Sequence, residues 1–363
     1  MAVLKTNVGD LELRNPVLTA AGPNSRSGNV LLEAARGGAG GLVAKTVSME
    51  AAEVPKPNIA AIRRGIRGSK QGLLNAELWS EKPLEDWLRV EYSRALEAEL
   101  PLIASIGYTP EEVAKIAPQV EEVGVHGIEF STHYVGGHEE IAKTLNEAVD
   151  IPIFAKLSPK VDVAEVAKSV EPYVDGIVAI NTYGPCLHID IETGRPLLGS
   201  DDGYGWMSGA ALKPIALRCV ADISQAVDIP VIGVGGVTSG EDAIEYFMAG
   251  ASAIEVCTAA ILGGPQVYGK IVEEIDEWLN AHNYDSVLDI HGMALQEIER
   301  ATPQQPPVVD IDTCTFCRLC ERTCVYDAIS VSREDGDVRI SPEKCQQCGM
   351  CISVCPVRAL SFE

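Results

Sequence analysis

The sequence has few basic residues, few aromatic residues and no long hydrophobic run. Its 29 Lys and Arg face 52 Asp and Glu, which gives a formal net charge of −23. Such a surface repels phosphate backbones and anionic membranes. No apolar run approaches the roughly 20 residues that a membrane-spanning helix needs. The composition therefore predicts a protein that binds neither nucleic acid nor a membrane.

The sequence also lacks the features of a secreted protein. Its first residues, MAVLKTN, contain no apolar signal core. A disulfide framework is typical of short secreted chains, whereas this one has 363 residues. Three of its 11 Cys, at positions 186, 219 and 257, have no Cys close by in the sequence to pair with. We therefore expect a reducing compartment and a cytoplasmic location.

Cysteine is concentrated near the C-terminus, in two runs with the spacing CxxCxxCxxxC. This is the bacterial spacing for two [4Fe–4S] clusters, in which the fourth Cys of each run ligates the cluster of the other run. Zinc sites instead pair two CxxC motifs a dozen or more residues apart. Cross-ligation predicts one cluster on Cys314, Cys317, Cys320 and Cys355, and a second on Cys345, Cys348, Cys351 and Cys324. Pro356 follows the second run as is usual, but Val325 follows the first.

Residues 1–300 alternate short β-branched apolar runs with amphipathic segments, which is typical of βα units on a parallel sheet. The predicted buried strands are Val17–Ala21, Leu42–Thr46, Leu102–Ile106, Gly127–Phe130, Ile153–Lys156, Gly176–Ile180, Val231–Val234 and Ala253–Cys257. The predicted helices include Pro83–Glu99, Pro110–Val123, Asp162–Val170, Lys213–Val227 and Gly240–Met248. Eight units predict an α/β fold, a closed (β/α)8 TIM barrel whose site lies at the C-terminal strand ends. An early hairpin, Val3–Leu13, is expected to plug the bottom of the barrel.

A proline-rich stretch, ATPQQPP at 301–307, ends this pattern and is predicted to be an extended linker. The remaining residues, 308–363, form an internal repeat beyond their Cys, because DAIS at 327–330 recurs as VRALS at 357–361. The sequence therefore predicts a barrel at 1–300, a linker at 301–307 and a small α+β two-cluster ferredoxin domain at 308–363.

Several predicted strand ends carry residues that a barrel core does not need. Lys45 ends the second strand and Lys156 the fifth. An ammonium there is costly to desolvate unless an anion or an electron-rich ring meets it, although either Lys alone is more simply a solvated rim residue. Gly235-Gly236 and Thr258 follow strands seven and eight, where barrels usually bind a phosphate. Without Thr258, the Gly pair would be equally consistent with a plain turn.

The motifs LTAAG (18–22), VAKT (43–46), FAKLSP (154–159), INTYG (180–184), SGAALKPIALRCV (208–220) and IPVIGVGGVTSGEDAIEYFMAGASAIEVCTA (229–259) resemble the dihydroorotate dehydrogenase superfamily of FMN barrels. The segment GLLNAELWSEK (72–82) is most similar to dihydropyrimidine dehydrogenase, and specifically to the flavin subunit of its bacterial form. That subunit also ends in a two-cluster ferredoxin domain. The resemblance implies FMN in the barrel and two [4Fe–4S] clusters after it.

The resemblance also implies individual roles. The residues that would line the flavin ring are Ala20, Ala21 and Gly22, with Thr46 and Asn181 orienting it. Lys45 and Lys156 would face its N1/O2 side and stabilise the reduced anion. The residues that would hold the ribityl phosphate are Gly209, Gly235, Gly236, Cys257 and Thr258. Those that match pyrimidine-binding positions are Asn75, Asn181 and Thr182.

The sequence departs from this family after the fourth strand. The family carries Asn-Leu-Ser-Cys-Pro or a close variant, but here Ser131 replaces the substrate Asn and Tyr134 stands where the catalytic Cys is expected. Ser69 takes the place of another substrate Asn. A site built for ring amides loses heavily when its partners are removed. The departures therefore argue against dihydroorotate, uracil and thymine as substrates.

Three residues are candidates for the acid/base that accompanies hydride transfer. Tyr134 occupies the position of the family's Cys, and His133 titrates closest to neutral pH. Cys186 lies in the long insert 183–206, which is able to fold over the site, although a plain small thiol explains it more simply. The sequence leaves these alternatives open.

No GxGxxG fingerprint follows a strand and opens a helix. Electrons are therefore expected to pass through the clusters, from a partner that carries NAD(P) and FAD or from ferredoxin. The sequence predicts an oxidoreductase that acts on an activated C=C or C–C bond of a small, cyclic or conjugated substrate, within a homo- or hetero-oligomer. The alternative is a relay subunit whose flavin only transfers electrons within a larger redox complex.

Overall fold

The computed structural model describes residues 2–62, 72–132, 136–297 and 305–362. The chain divides into two compact units, Met1–Glu297 and Ile298–Glu363. Most of the predicted linker, 301–304, lies outside the described residues. Within the described ranges, no helix is both long and apolar enough to cross a membrane.

The strands of the first unit are β1 (Thr6–Val8), β2 (Leu11–Leu13), β3 (Val17–Thr19), β4 (Leu42–Val43), β5 (Ile59–Ile62), β6 (Gly72–Asn75), β7 (Leu102–Ile106), β8 (Gly127–Ser131), β9 (Ile153–Leu157), β10 (Gly176–Ala179), β11 (Tyr183–Cys186), β12 (Ile189–Asp190), β13 (Arg195–Pro196), β14 (Gly205–Ser208), β15 (Val231–Val234) and β16 (Ala251–Val256). Its helices are α1 (Gly28–Arg36), α2 (Leu84–Asp86), α3 (Tyr92–Leu96), α4 (Pro110–Glu122), α5 (His138–Ala148), α6 (Val163–Val170), α7 (Lys213–Ser224), α8 (Gly240–Met248), α9 (Thr258–Gly263) and α10 (Val267–Ala281). A π-helical turn, Trp87–Glu91, joins α2 to α3.

Eight parallel strands form the barrel, in the order β3-β16-β15-β10-β9-β8-β7-β4. A parallel bridge between Leu18 and Gly41 brings β3 beside the segment that enters β4. The Gly40 N–H donates to the Val17 carbonyl at 2.7 Å at the same place. The predicted TIM barrel is confirmed, and its carboxyl strand ends meet at one rim.

The helices outside the barrel form where the sequence combines an N-cap with an apolar stripe. In α4, the Thr109 side chain accepts the Glu112 N–H and Pro110 occupies the first turn. Val113, Ile116 and Val120 are fully buried on one face of this helix. Each such side chain contributes about 1.5–3 kcal/mol through burial. Ser27, Asp162 and Ser239 cap other helices in the same way.

The predicted N-terminal hairpin is confirmed as the antiparallel pair β1–β2. Val8, Leu11 and Leu13 pack in one cluster with the barrel-interior side chains of Phe154 and Ile232. The Thr6 hydroxyl donates to the Ser252 carbonyl at the start of β16, at 3.2 Å. The hairpin therefore covers the amino ends of the strands and leaves the carboxyl ends open.

A four-stranded antiparallel sheet, β11-β14-β6-β5, was not predicted. It joins two insertions that are distant in sequence, because β14 pairs with β6 through Trp206 opposite Asn75 and Ser208 opposite Leu73. The insert 183–206 thus starts and ends in this sheet and is not a free loop over the site.

Two barrel strands end at least two residues earlier than predicted. β3 stops at Thr19 and β4 at Val43, so Ala20, Ala21, Lys45 and Thr46 lie in the loops that follow. The Lys45 N–H takes no part in the strand pairing and donates instead to the Ser25 carbonyl at 3.0 Å.

The second unit contains β17 (Val308–Val309), α11 (Leu319–Thr323), β18 (Ile329–Ser332), β19 (Asp337–Ile340), α12 (Met350–Ser353) and β20 (Leu360–Ser361). β17 pairs with β20, and β18 with β19. The backbone repeats as the sequence does, because positive φ values recur at the corresponding positions Phe316 and Gln347, and again at Asp327 and Arg358.

Candidate active site and cluster sites

A cleft of about 1310 Å³, counting the open space at its mouth, lies at the carboxyl ends of the barrel strands. Every residue predicted from the sequence to bind FMN or the pyrimidine ring lines it: Ala20, Ala21, Gly22, Lys45, Thr46, Asn75, Lys156, Asn181, Thr182, Gly209, Gly235, Gly236, Cys257 and Thr258. Ser131 also lines it. The loops after β3, β4, β10, β15 and β16 each contribute, as does β9 itself through Lys156, so the barrel brings distant motifs into one site.

The glycines after β15 form a narrow part of the cleft. Gly235 and Gly236 have φ of +132° and +76°, which L side chains rarely adopt. A Cβ on Gly235 would lie 2.7 Å from the Ala216 Cβ, and one on Gly236 would lie 2.8 Å from the Gly209 carbonyl oxygen. These positions therefore need glycine, which also lets backbone N–H groups approach a phosphate.

Both site lysines are paired with carboxylates. Lys45 Nζ lies 2.8 Å from Glu77 Oε2, and the Asn58 amide donates to the other oxygen of Glu77. Lys156 Nζ lies 2.8 Å from Glu255 Oε2 and 3.2 Å from Glu129 Oε2. The side chains of Lys156, Glu129 and Glu255 are almost completely buried.

The two carboxylates hold Lys156 charged. Burial lowers the pKa of Lys156, but attraction to Glu129 and Glu255 and the hydrogen bonds to them outweigh it, so the pKa lies above its ordinary value. Burial, and then repulsion from Glu129, raise the pKa of Glu255 well above its ordinary value. The lysines are thus not the isolated cations that the sequence suggested.

Glu77, Glu129 and Glu255 were not identified from the sequence. A signal was present for two of them, because Glu129 and Glu255 each interrupt an otherwise apolar, buried strand. A charged residue in such a strand needs a partner. No spacing rule connects β8, β9 and β16, so the pairing follows only from the closed barrel.

A buried carboxylate oxygen in the described part of the cleft has no hydrogen bond. Among the described residues, Glu255 Oε1 is buried and accepts no hydrogen bond. Leaving such an atom unpaired costs about 1–3 kcal/mol, which a ligand N–H would recover. A flavin ring offers an N–H donor for this oxygen and acceptors for the two lysines. The donor set and the glycine cradle therefore fit FMN.

Cys257 lines the cleft beside Gly22, and Asn24 is its hydrogen-bond partner. The Cys257 thiol donates to Asn24 Oδ1 at 2.9 Å. Burial raises the pKa of this thiol to about 11, so it stays protonated at neutral pH. The Asn24 amide donates in turn to Tyr268 Oη at 2.9 Å. A Cβ on Gly22 would lie 2.7 Å from Cys257 Sγ, so this side of the cleft leaves no room for a side chain.

The loop after β8 is only partly described. The Asn181 amide donates to the Ser131 hydroxyl at 3.2 Å, which places Ser131 beside a predicted pyrimidine-binding residue. His133, Tyr134 and Ser69 lie outside the described residues.

Cys186, the third acid/base candidate, does not line the cleft. It packs against Leu74, Ala76 and Leu198. Pairing of β11 with β14 directs this part of the insert into the antiparallel sheet.

The second unit has two separate cysteine cavities. One, of about 310 Å³, is lined by Cys314, Cys317, Cys320 and Cys355, and the other, of about 330 Å³, by Cys324, Cys345, Cys348 and Cys351. These are the two sets that cross-ligation predicts. Among the described residues, no three Cys, His, Asp or Glu side chains converge as they would on a single metal ion. The thiolates that bind a four-iron cluster lie farther apart than the ligands of a single metal ion, so the two cavities fit such clusters. The assignment of each Cys to a cluster stays a prediction.

Comparisons with known proteins agree with both units. Residues 131–279 match a family model described as dihydroorotate dehydrogenase, and residues 303–359 match a 4Fe-4S dicluster domain. The chain is 36% identical to the dihydroorotate dehydrogenase B (NAD(+)) catalytic subunit of Methanothermobacter thermautotrophicus, over 80% of this chain and 98% of that protein. The proteins of the same description from Pyrococcus abyssi and Methanocaldococcus jannaschii are 36% and 35% identical, over 81% and 80% of this chain and 100% and 98% of their own lengths.

Proposed function

The chain belongs to the dihydroorotate dehydrogenase family and is an iron–sulfur flavoprotein oxidoreductase, and from this premise we propose that it binds FMN in the barrel cleft and two [4Fe–4S] clusters in the second unit. Electrons pass between the clusters and the flavin. The flavin site reduces or oxidises an activated C=C or C–C bond of a small cyclic substrate. The observation that carries the proposal is that the FMN residues assigned from scattered motifs all line one cleft.

Bound FMN would supply hydride exchange with a substrate carbon. The chain's own residues hold and orient the reactants. The narrow Gly235–Gly236 turn places backbone N–H groups at the phosphate end, and Lys156 is fixed between two carboxylates at the base of the cleft. Ser131 and Asn181 form a hydrogen-bonded pair on the wall, where a substrate ring would contact them.

The substrate we propose is a small cyclic or conjugated compound other than dihydroorotate, uracil and thymine, with an activated C=C or C–C bond that is converted in a reaction like that of dihydropyrimidine dehydrogenase. The relatives are named for dihydroorotate, but this chain has Ser131 and Tyr134 at two positions where the family has Asn and Cys. A hydroxyl cannot replace both hydrogen bonds of an amide. Dihydroorotate is therefore expected to be turned over more slowly than a substrate that suits these residues.

The partner we propose is an electron-transfer protein that carries NAD(P) and FAD, or a ferredoxin. The relatives are described as catalytic subunits of NAD(+) enzymes. The sequence of this chain has no dinucleotide fingerprint of its own, which supports delivery of electrons through the clusters.

Anaerobic purification of the full chain tests this function. The protein should contain FMN and about eight irons, and its reduced flavin should be reoxidised by at least one compound in a screen of pyrimidines, orotate and other rings with an activated C=C bond. Lys156→Met, which removes the ammonium but keeps the length of the side chain, should reduce FMN binding. Protein that contains no flavin after anaerobic purification would refute the proposal.

The altered loop after β8 favours a second candidate, a relay subunit without a substrate of its own. The same screen separates the two functions. Turnover by this chain alone with an artificial electron donor excludes the relay. A protein with FMN and clusters that reoxidises with none of the compounds supports it.

A further inference from the structure

We propose that the acidic partners of Lys45 and Lys156 lower the reduction potential of the flavin, so that this site is poised to give electrons to its substrate. The inference rests on the proposed function, because it concerns FMN bound in the barrel cleft. Its basis is the arrangement of Glu77, Glu129 and Glu255, none of which the sequence predicted to be part of the site.

The cleft contains more acidic than basic side chains. Among its described lining residues, the Lys and Arg are Lys45 and Lys156, and the Asp and Glu are Glu77, Glu129 and Glu255. Each lysine is in direct contact with a carboxylate, at 2.8 Å in both cases. The positive charge that would stabilise the reduced flavin is therefore balanced before the flavin binds.

Burial makes this balance effective. The lysine side chains are 8% and 6% exposed and the Glu129 and Glu255 side chains 1% and 0%, so water screens these charges poorly. A reduced flavin gains negative charge on its N1/O2 side. A lysine that is already paired stabilises that charge less than a free lysine, and the carboxylates repel it. Reduction of the flavin is therefore less favourable than in a site with unpaired lysines.

Glu129 and Glu255 act as a pair. Both contact Lys156, and their mutual repulsion favours a proton on one of them. If only one is replaced by Gln, the other carboxylate still contacts Lys156. Both must be replaced to leave Lys156 without a carboxylate, whereas Lys45 loses its carboxylate with Glu77 alone.

The experiment measures the flavin midpoint potential of the full, FMN-loaded protein by anaerobic spectroelectrochemical titration. Glu77→Gln and the double variant Glu129→Gln/Glu255→Gln keep the size and hydrogen-bonding capacity of the side chains. Each should raise the equilibrium constant for two-electron reduction at least tenfold, which is about 30 mV. Glu97→Gln is the matched control, because Glu97 pairs with Arg94 on the exposed surface, and its potential should equal that of the unmodified protein.

The outcomes separate this inference from the function on which it rests. If the variants bind FMN and their potentials are unchanged or lower, the inference is wrong while the proposed function stands. If the unmodified protein binds no FMN, both are wrong. Glu77 is less buried than the other two, so Glu77→Gln decides the question if the double variant does not fold.

Discussion

At the scale of single residues, the cleft depends on close contacts that leave no space for additional atoms. Tyr246 donates its hydroxyl hydrogen to the Gly235 carbonyl at 2.6 Å, which fixes the turn after β15. Thr258 and Ser208 are joined through their hydroxyls at 2.8 Å, which ties the start of α9 to the end of β14. The end of the cleft where we propose that the FMN phosphate binds is therefore held by side chains from the barrel and from the antiparallel sheet.

Gly235→Ala should weaken FMN binding roughly tenfold, because overpacking typically costs about 1–3 kcal/mol. The new Cβ would collide with Ala216 at a positive φ. Gly124→Ala is the matched control, since Gly124 has φ of +90° and open space where a Cβ would be. It should lose about 1 kcal/mol of stability and keep its FMN. Dissociation constants measured by flavin fluorescence, with thermal unfolding in parallel, check both results. Equal loss of FMN in the two variants would contradict the prediction that FMN binding depends on the glycine turn at Gly235–Gly236.

Cys186→Ala should keep turnover within about twofold, because surface substitutions away from a site have small effects and Cys186 does not line the cleft.

Tyr134→Phe and His133→Ala distinguish the remaining proton donors. Loss of a general acid typically lowers the rate by a factor of about 10²–10⁴. One of the two variants should therefore show this decrease in the rate at which substrate reoxidises the reduced flavin under anaerobic conditions. Full turnover in both would exclude the loop after β8 as the source of the proton.

At the scale of elements, the two halves of the second unit position their Cys in the same way. The Ala328 N–H donates to Cys324 Sγ at 3.3 Å, and the Ala359 N–H donates to Cys355 Sγ at 3.2 Å. In each half the donor lies four residues after the Cys, at the end of a turn with positive φ at Asp327 or Arg358. Hydrogen bonds of this kind stabilise a thiolate and tune a bound cluster.

Pairs of Cys substitutions test which thiols share a cluster. If Cys314 and Cys355 serve the same cluster, Cys314→Ser/Cys355→Ser should lose one cluster and retain about four irons. Cys345→Ser/Cys355→Ser should damage both clusters and retain almost no iron, although its two Cys belong to the same run. Iron and acid-labile sulfide analysis of anaerobically purified protein measures the difference. The opposite pattern would show that each run ligates its own cluster.

At the scale of the whole molecule, the chain combines a flavin barrel with a separate cluster unit. In the function we propose, the second unit delivers electrons and the first uses them. Loss of the clusters should therefore stop reduction of the flavin by ferredoxin or by a protein partner. It should leave intact those properties that depend on the barrel cleft alone.

Cys345→Ser/Cys355→Ser should therefore bind FMN normally and turn over substrate with a small artificial donor such as dithionite-reduced viologen. With reduced ferredoxin its rate should fall at least about tenfold, because electrons then have no cluster route to the flavin. Stopped-flow absorbance of the flavin with each donor makes the comparison. Glu97→Gln, which changes one residue of an exposed ion pair, is the control for nonspecific effects. Equal loss with both donors would mean that the clusters support the fold of the barrel and not only electron supply.

The sequence by itself determined the barrel, the cluster unit and many of the residues that line the cleft. Strands buried on both faces appear as short apolar runs, and β7 and β15 match their predicted bounds. The cluster-binding Cys runs are recognised by their local spacing, which can be read directly from the sequence. The residues predicted to bind FMN came from a family resemblance, and most of them follow strands, whose carboxyl ends meet at one rim of a barrel.

Only the tertiary structure decided the electrostatics of the site. Glu129, Lys156 and Glu255 belong to three different strands, and their contact depends on closure of the barrel. The sheet that contains Asn75 and Trp206 pairs residues that lie far apart in the chain, and no local pattern encodes such a partner. In the same sheet, pairing of β11 with β14 places Cys186 away from the cleft. Charge balance and the pairing of distant strands depend on which residues lie close together in space. The sequence therefore indicated the lysines but not the carboxylates that neutralise them.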